Sequence, residues 1–365
     1  MRISHQWHRV ALQVKLSFQF EHVNHKMIGL REIQTFLACP FVKNCTDLSL
    51  KDLHLGIAGA YSISAAKNMN QLTSLSLLEC NLGTKGVHAI SNSIHLKKLK
   101  HLTIGSEDGI ESVCKGGSMR NLTHLRVCDT TISDKGILQI CASVFVSKIL
   151  VLDLPENEIG PNGIRILSEC PHLTNLTELF LTYNDIGDEG VKYLMSSKFI
   201  NKLQRLRLTG NGLEPSSCKY IAESQNTDHL TYLDLSFNRI GSGFDLLSQS
   251  KKLKNVTYLN AAFCGIKTSS VMPLVNSQFA SRLKHLWLSG NGIGDEGAIM
   301  IASSEHLSNL TKLHLLSDHI GDDGSLAIAN SPFLKNLKVL SMGGNYQISE
   351  VGLVALRHVR GFKFN

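Results

Sequence analysis

The chain has 365 residues, and its 37 basic and 30 acidic side chains leave a formal net charge of +7. Hydrophobic residues make up 43% of the chain and charged residues 18%, so there is ample apolar surface to bury, which excludes a disordered tail protein. The basic residues do not form the dense stripe that is typical of a dedicated nucleic-acid-binding protein, so we expect no nucleic-acid partner.

The compartment is predicted from what the sequence contains and lacks. No apolar run approaches the roughly 18 residues of a transmembrane helix, so no membrane contact is expected. Met1 to Val10 lack the apolar core of a secretory signal. The nine cysteines are odd in number and irregularly spaced, which favours reduced thiols and a cytoplasmic protein.

Residues 1–44 are predicted to form an N-terminal helix and a capping strand. Residues 11–20 alternate strictly between apolar and polar side chains, which is the pattern of a strand that covers the open end of a sheet. Before it, the segment from Ile3 to Val10 contains Ser4 and Trp7. This segment resembles the last helix of an F-box, which implies docking on a Skp-type adaptor of a ubiquitin ligase. The resemblance covers about ten residues, and an amphipathic cap helix that buries Trp7 explains them equally well.

A repeated pattern occupies the rest of the chain. The segment Leu176 to Gly187 has the form L-x-x-L-x-L-x-x-N-x-I-G, and twelve such segments, some with variations, follow one another at steps of 27 residues, with one step of 23 and one of 26. A fixed period of this size indicates a solenoid. The twelve segments start at residues 45, 72, 99, 122, 149, 176, 203, 230, 256, 283, 310 and 337.

Each part of the period predicts a local structure. Leucines at positions 4 and 6 alternate with polar residues, as in a strand, and the amide at position 9 can bond backbone groups where the chain leaves the strand. Apolar residues at positions 16, 19 and 20 share one helix face, and pairs such as Asp188-Glu189 and Asp295-Glu296 place negative charge near a helix start.

One strand and one helix per repeat predict an α/β solenoid over residues 45–365, a horseshoe with parallel strands on its concave face and helices on its convex face. The pattern resembles the ribonuclease-inhibitor-like subfamily of leucine-rich repeat proteins, and this resemblance implies the fold without naming an activity. At the C-terminus, either a short strand with Phe362 and Phe364 covers the last repeat or another chain does, and we expect the strand.

The sequence does not predict catalysis. It contains no phosphate-binding loop and no C-x-x-C pair. The pairs His22/His25 and Asp318/His319 lack the third and fourth ligands of a metal site. We therefore expect a protein that is not an enzyme and has no cofactor and no metal.

Positions 3, 5, 7 and 8 of each repeat line the predicted concave face, and here the sixth to tenth repeats stand out. Seven aromatic residues occupy these positions in five consecutive repeats, although aromatics are only 6% of the chain. Aromatic and arginine side chains anchor many protein interfaces, and we expect Arg205 and Trp287 to contribute most. The predicted protein-binding residues are Glu178, Phe180, Tyr183, Arg205, Arg207, Tyr232, Asp234, Tyr258, His285, Trp287 and His314.

Alternatives remain open at this point. Tyr183, Phe237 and Phe263 at position 8 could instead pack over the turns of neighbouring repeats. A non-catalytic protein-binding module is the first hypothesis for the function, and an F-box-type substrate receptor of a ubiquitin ligase is the second. Regulation of a GTPase through a loop arginine such as Arg239 is a third and weaker one.

Overall fold

A computed structural model describes residues 16–20, 29–105, 109–128, 130–359 and 362–363. The chain divides into two compact units: Met1–Ile159 together with Glu169–Leu176, and Gly160–Ser168 together with Thr177–Asn365. The boundary predicted between residues 44 and 45 remains a prediction. The F-box-like segment, residues 11–15 of the predicted cap strand and Phe364 lie outside the described residues.

In the first unit, six parallel strands pair in chain order. The strands are β1 Leu16–Gln19, β2 Cys45–Ser49, β3 Ser74–Leu77, β4 His101–Gly105, β5 His124–Cys128 and β6 Val151–Asp153. The helices are α1 Leu30–Ala38, α2 Gly56–Ser64, α3 Gly83–Ser91, α4 Ile110–Lys115 and α5 Asp134–Cys141.

The second unit begins with a helix and then has eight parallel strands, again in chain order. The strands are β7 Glu178–Phe180, β8 Arg205–Arg207, β9 Tyr232–Asp234, β10 Tyr258–Asn260, β11 His285–Trp287, β12 Lys312–His314, β13 Val339–Ser341 and β14 Phe362–Lys363. The helices are α6 Pro161–Ser168, α7 Gly187–Met195, α8 Pro215–Glu223, α9 Gly243–Ser248, α10 Val271–Val275, α11 Gly294–Ala302, α12 Asp322–Ala329 and α13 Glu350–Arg357.

The buried leucines at equivalent positions of successive repeats explain why the strands pair in chain order. Leu206, Leu233 and Leu259 occupy position 4 of successive repeats, lie directly opposite one another in the sheet and are fully buried. Each leucine is flanked by residues that project from the other side of the sheet. Because the register is identical from one repeat strand to the next, with a shift only between β1 and β2, equivalent positions form straight rows along each unit.

The prediction that the amide at position 9 bonds backbone groups at the strand exit is confirmed. We call this row of side chains the asparagine ladder. The side-chain oxygen of Asn238 accepts hydrogen bonds from the backbone N–H groups of Asn211 and Leu213 at 2.9 and 3.0 Å. Its amide nitrogen donates to the carbonyl oxygens of Leu208 and Leu235 at 2.9 and 2.8 Å. Buried backbone groups at the strand exit are thereby paired, as their burial requires.

The acidic residues near the helix starts bond the start of the following helix, which the sequence did not predict. Asp295 lies in the first turn of α11, but its Oδ1 accepts hydrogen bonds from the N–H groups of Gly321 and Gly324, at the start of α12. Asp322 of α12 likewise accepts from Ser349 and Gly352, at the start of α13. Each carboxylate thus caps the helix of the following repeat.

Both predicted end strands occur within the described residues. At the start, β1 pairs with β2, and the sequence did not predict α1, whose Phe36 ring packs edge-on against Phe18 and Phe20 at 5.0 and 4.9 Å between centroids. At the end, β14 pairs with β13 through Phe362 and Lys363.

The 23-residue step corresponds to α4, which has six residues where α3 has nine. No described helix is long and apolar enough to span a bilayer.

Candidate protein-binding face

The candidate site lies entirely in the second unit, on the sheet side opposite the buried leucines. Strands β7 to β12 each place two side chains there, and the in-register pairing arranges them in two rows. We call them together the aromatic–arginine face. The first row is Glu178, Arg205, Tyr232, Tyr258, His285 and Lys312, and the second is Phe180, Arg207, Asp234, Asn260, Trp287 and His314.

Two arginines form the first part of this face. The guanidinium carbon of Arg205 lies 4.7 Å from the ring centroid of Tyr232 and 5.4 Å from that of Phe180. The guanidinium of Arg207 lies 5.1 and 5.6 Å from the centroids of Phe180 and Tyr232, within the range of cation–π attraction. Arg207 also donates to the Tyr232 hydroxyl at 2.8 Å, so these side chains hold one another in place.

Each arginine also has a carboxylate partner. Arg205 lies 3.5 Å from Glu178, and Arg207 lies 3.6 Å from Asp234. Asp234 accepts further hydrogen bonds from the hydroxyl of Thr209 at 3.1 Å and from that of Ser236 at 2.7 Å. The β7–β9 part of the face is therefore balanced in charge.

Stacked rings form the second part. Tyr232 and Tyr258 stack at 4.1 Å between centroids with their planes 14° apart, and Trp287 and His314 stack at 3.9 Å and 26°. Tyr258 links the two pairs, because its ring centroid lies 6.2 Å from that of Trp287. Contacts of this kind add to the stability that burial alone provides and make the array continuous from Arg205 to His314.

Two predicted contact residues are less accessible than the sequence indicated. Phe180 is 9% exposed because the guanidinium groups of Arg205 and Arg207 cover its ring. Asp234 is 5% exposed because the hydroxyls of Thr209 and Ser236 and the side chain of Arg207 surround it. We correct the expectation that these two side chains lie open on the face, since they support the arginines from below.

Burial changes the acid–base behaviour of the face. The pKa of His314 is lowered to about 4, first by burial and then by Lys312, His285 and Lys363. Burial, with Lys312 and Lys284, also lowers the pKa of His285. The pKa of the Tyr258 hydroxyl is raised, mainly by burial. All three side chains are thus uncharged near neutral pH.

The aromatics at position 8 form a separate group that we call the exit row: Tyr183, Phe237 and Phe263. All three have left-handed backbone conformations, with φ of 51°, 56° and 54°, and each is about half exposed. The rings of Phe237 and Phe263 stack at 4.8 Å. The rings of Tyr183 and Phe263 lie so close over Gly210 and Gly290 that a Cβ atom there would clash. The packing alternative is therefore confirmed, although each of these side chains remains about half exposed.

The described residues contain no cluster of three or more His, Cys, Asp or Glu side chains that could hold a metal ion. Trp287 Nε1 and His314 Nε2 are buried without a hydrogen-bond partner among the described residues. The hydroxyls of Thr209 and Ser236, which support Asp234, were not predicted from the sequence. Their place at position 7, beside an aspartate at position 5 of the later repeat, is the signal that could have indicated them.

Comparisons with known proteins agree with the repeat. A family model described as Leucine Rich repeat matches residues 172–195, 228–243 and 282–302. No curated protein matches the chain.

Among solved structures, a chain of the Rad7 and Elc1 complex from yeast is similar with a TM-score of 0.60 and 18% identity, covering 88% of this chain and 81% of that one. An internalin, InlF, from Listeria monocytogenes has a TM-score of 0.48 and 18% identity over 86% of this chain and 95% of its own. The chain thus contains leucine-rich repeats, and its strands and helices alternate as in other proteins built from them.

Proposed function

We propose that this protein is a non-catalytic protein–protein interaction module that binds a protein ligand on the aromatic–arginine face. The observation that carries the proposal is the continuous array from Arg205 through Tyr232, Tyr258 and Trp287 to His314. Leucine-rich repeat folds generally mediate protein–protein interaction. Within this fold, arginine and aromatic side chains that lie on an open sheet face are the types that contribute most to protein binding.

The array is also pre-organised. Its side chains already contact one another, so binding would immobilise few further rotamers and lose less conformational entropy than binding to mobile side chains. Within it, Arg205, Trp287 and His285 are the proposed contact residues, while Phe180 and Asp234 hold the arginines in position.

The exit row supports the same proposal. A bulky residue with positive φ costs about 1–3 kcal/mol, and such strain tends to occur at functional sites. Equivalent positions elsewhere in the described residues hold glycine, as at Gly210 and Gly290, or a polar residue, as at Glu79, so these three repeats differ by presenting a half-exposed ring. Exposed apolar groups of this kind often mark interaction surfaces, and we include Tyr183 with its two neighbours in the binding surface.

The test is quantitative capture of partners from a lysate with the wild-type chain and with an Arg205→Ala, Trp287→Ala variant. We expect the principal partner to be lost from the variant, because truncating two central anchors commonly costs more than about 2 kcal/mol each. Tyr346→Ala is the matched control, since Tyr346 is 93% exposed. A principal partner recovered equally with all three chains would contradict this location of the site.

Two assignments accompany this proposal. We propose a cytoplasmic protein, because the nine cysteines carry no disulfide and structural disulfides are rare in that compartment. We also propose that the repeats belong to the ribonuclease-inhibitor-like subfamily, which they resemble in their 27-residue period of one strand and one helix.

The second candidate is an F-box-type substrate receptor of a ubiquitin ligase. It is supported by the segment from Ile3 to Val10 and by the likeness of fold to a chain from a complex of Rad7 with Elc1. The same capture experiment addresses it through a Trp7→Ala variant. Recovery of a Skp-type adaptor by the wild type and its loss from this variant would favour the receptor. Capture of a protein partner without any Skp-type adaptor would favour the simple binding module.

A further inference from the structure

The aromatic–arginine face is unevenly charged. On β7 to β9, each arginine is paired with a carboxylate, Glu178 or Asp234. The five strands from β10 to β14 contain no aspartate or glutamate. They hold Lys312 and Lys363, and Lys284 immediately precedes β11. These three lysines are exposed, and among the described residues none of them is in an ion pair.

Two of these lysines lie beside the histidines of the face. Lys312 pairs in register with His285, and Lys363 pairs with Ser341, which is the register partner of His314. Lys312 influences the titration of both His285 and His314, Lys284 that of His285, and Lys363 that of His314. Each of the three ammonium groups thus lies within electrostatic reach of at least one of the two histidine rings. Because both histidines are uncharged near neutral pH, the positive charge here comes from the lysines alone.

Resting on the proposed function, we propose that the part of the face formed by Lys284, His285, Trp287, Lys312, His314 and Lys363 binds a carboxylate-rich segment of the protein partner. Unpaired lysines around an aromatic centre complement glutamate or aspartate side chains, and such complementarity gives a protein interface its specificity and orientation. The balanced β7–β9 part would then contact less charged residues of the same partner.

The stacking geometry disfavours a nucleic acid at this place. Proteins bind single-stranded nucleic acids by stacking bases on open aromatic faces along a positive groove. Here Trp287 is stacked on His314 at 3.9 Å, and Tyr258 on Tyr232 at 4.1 Å. One face of each ring is therefore already taken by a neighbour.

The test uses a fluorescein-labelled glutamate-rich peptide, with fluorescence anisotropy as the readout. The variant combines Lys284→Glu with Lys312→Glu. The matched control combines Lys192→Glu with Lys219→Glu, two exposed lysines on α7 and α8, so that both chains have the same net charge. We expect the face variant to bind at least about tenfold more weakly and the control to bind within about twofold of wild type, since four units of charge change at contact distance only in the former.

A second pair of substitutions, Lys284→Met with Lys312→Met, removes the charges without reversing them and should weaken binding to an intermediate degree. Circular dichroism of every variant verifies the fold. Equal weakening in the face and control variants would overturn the proposal, as would equal binding of the same peptide with lysine in place of glutamate. Tighter binding of a single-stranded oligonucleotide that displaces the peptide would also overturn it and indicate a nucleic-acid site.

Failure of this inference can be distinguished from failure of the proposed function. If the partner captured from the lysate requires Arg205 and Trp287 but binds the Lys284→Glu, Lys312→Glu variant unchanged, the acidic segment is wrong and the binding face remains. If none of these substitutions changes the capture of the partner, both proposals are wrong.

Discussion

Asp318 occupies the ladder position at which neighbouring repeats have Asn291 and Asn345. Its Oδ1 accepts hydrogen bonds from the N–H groups of Asn291 and Gly292 at 2.9 and 3.0 Å, but its Oδ2 is buried and has no hydrogen-bond partner among the described residues. Burial raises the pKa of this carboxyl to about 7 in spite of those donors. An asparagine can donate to the carbonyl groups at this place, as Asn291 does to Ala261 and Leu288, and an ionised aspartate cannot.

We therefore predict that Asp318→Asn stabilises the protein above neutral pH. A carboxyl whose pKa is raised by folding supports the folded state below the pKa of the unfolded chain, near 4, and this support is lost as the pH rises through the folded value of about 7. The gain at pH 8 should be up to about 4 kcal/mol and should shrink as the pH falls toward 4. Urea unfolding across this range measures it, and a difference independent of pH would refute the explanation.

Some residues of the candidate site could be placed from the sequence, and others could not. Position in the repeat was sufficient to place Tyr232, Tyr258 and Trp287 on one sheet face, because strand alternation fixes the side of the sheet. It could not predict that Phe180 and Asp234 are buried. Their burial depends on arginines and hydroxyls that come largely from the neighbouring repeat, the following one for Phe180 and the preceding one for Asp234, and those contacts exist only once the repeats are stacked.

At the scale of elements, the caps join one helix to the next. The acidic residues could be placed near helix starts from sequence alone, since such residues complement the N-terminal end of a helix. The identity of the capped helix could not be predicted, because the acceptor and its donors lie 26 to 30 residues apart, for example Asp295 with Gly321 and Asp322 with Gly352. In this way a side chain of one repeat fixes the start of the next helix.

Substituting Asp295 should test this coupling. In Asp295→Ala, the N–H groups of Gly321 and Gly324 lose their acceptor, and the loss of a cap typically costs about 1–2 kcal/mol. Glu296→Ala is the control, because Glu296 is its exposed neighbour with the same charge. Urea unfolding followed by circular dichroism should show a lower free energy of unfolding for Asp295→Ala only. Equal losses in both variants would indicate a general charge effect instead of a cap.

At the scale of the whole molecule, the period determines most of the fold. Twelve segments recognised from leucine spacing correspond to twelve consecutive strands, β2 to β13, because no repeat can bury its apolar residues without its neighbours. The ends were less predictable, since terminal repeats depart from the pattern. Thus α1, with the buried residues Ile33 and Leu37, has no counterpart in the period.

The sequence predicted which strands form the candidate site, but it did not predict the contacts among their side chains. The unusual density of aromatics in five repeats directed attention to β7–β11, and the structure adds which rings stack and which charges are paired. Ring stacking between repeats depends on rotamers and on the exact spacing of the strands, neither of which is encoded in the repeat pattern. The repeat pattern also does not distinguish the unpaired Lys284, Lys312 and Lys363 from the arginines on β8, because ion pairing depends on the side chains of neighbouring strands.

The most direct test of the central claim, that the partner binds the strand side of the second unit, is photo-crosslinking. A benzophenone-bearing phenylalanine replaces Phe237 in one chain and Ile299 of helix α11 in another, two side chains of similar exposure at 51% and 42%. The partner recovered by capture should form a covalent adduct with the chain modified at position 237 and none with the chain modified at position 299. An adduct only at position 299 would show that the helices, and not the aromatic–arginine face, bind the partner.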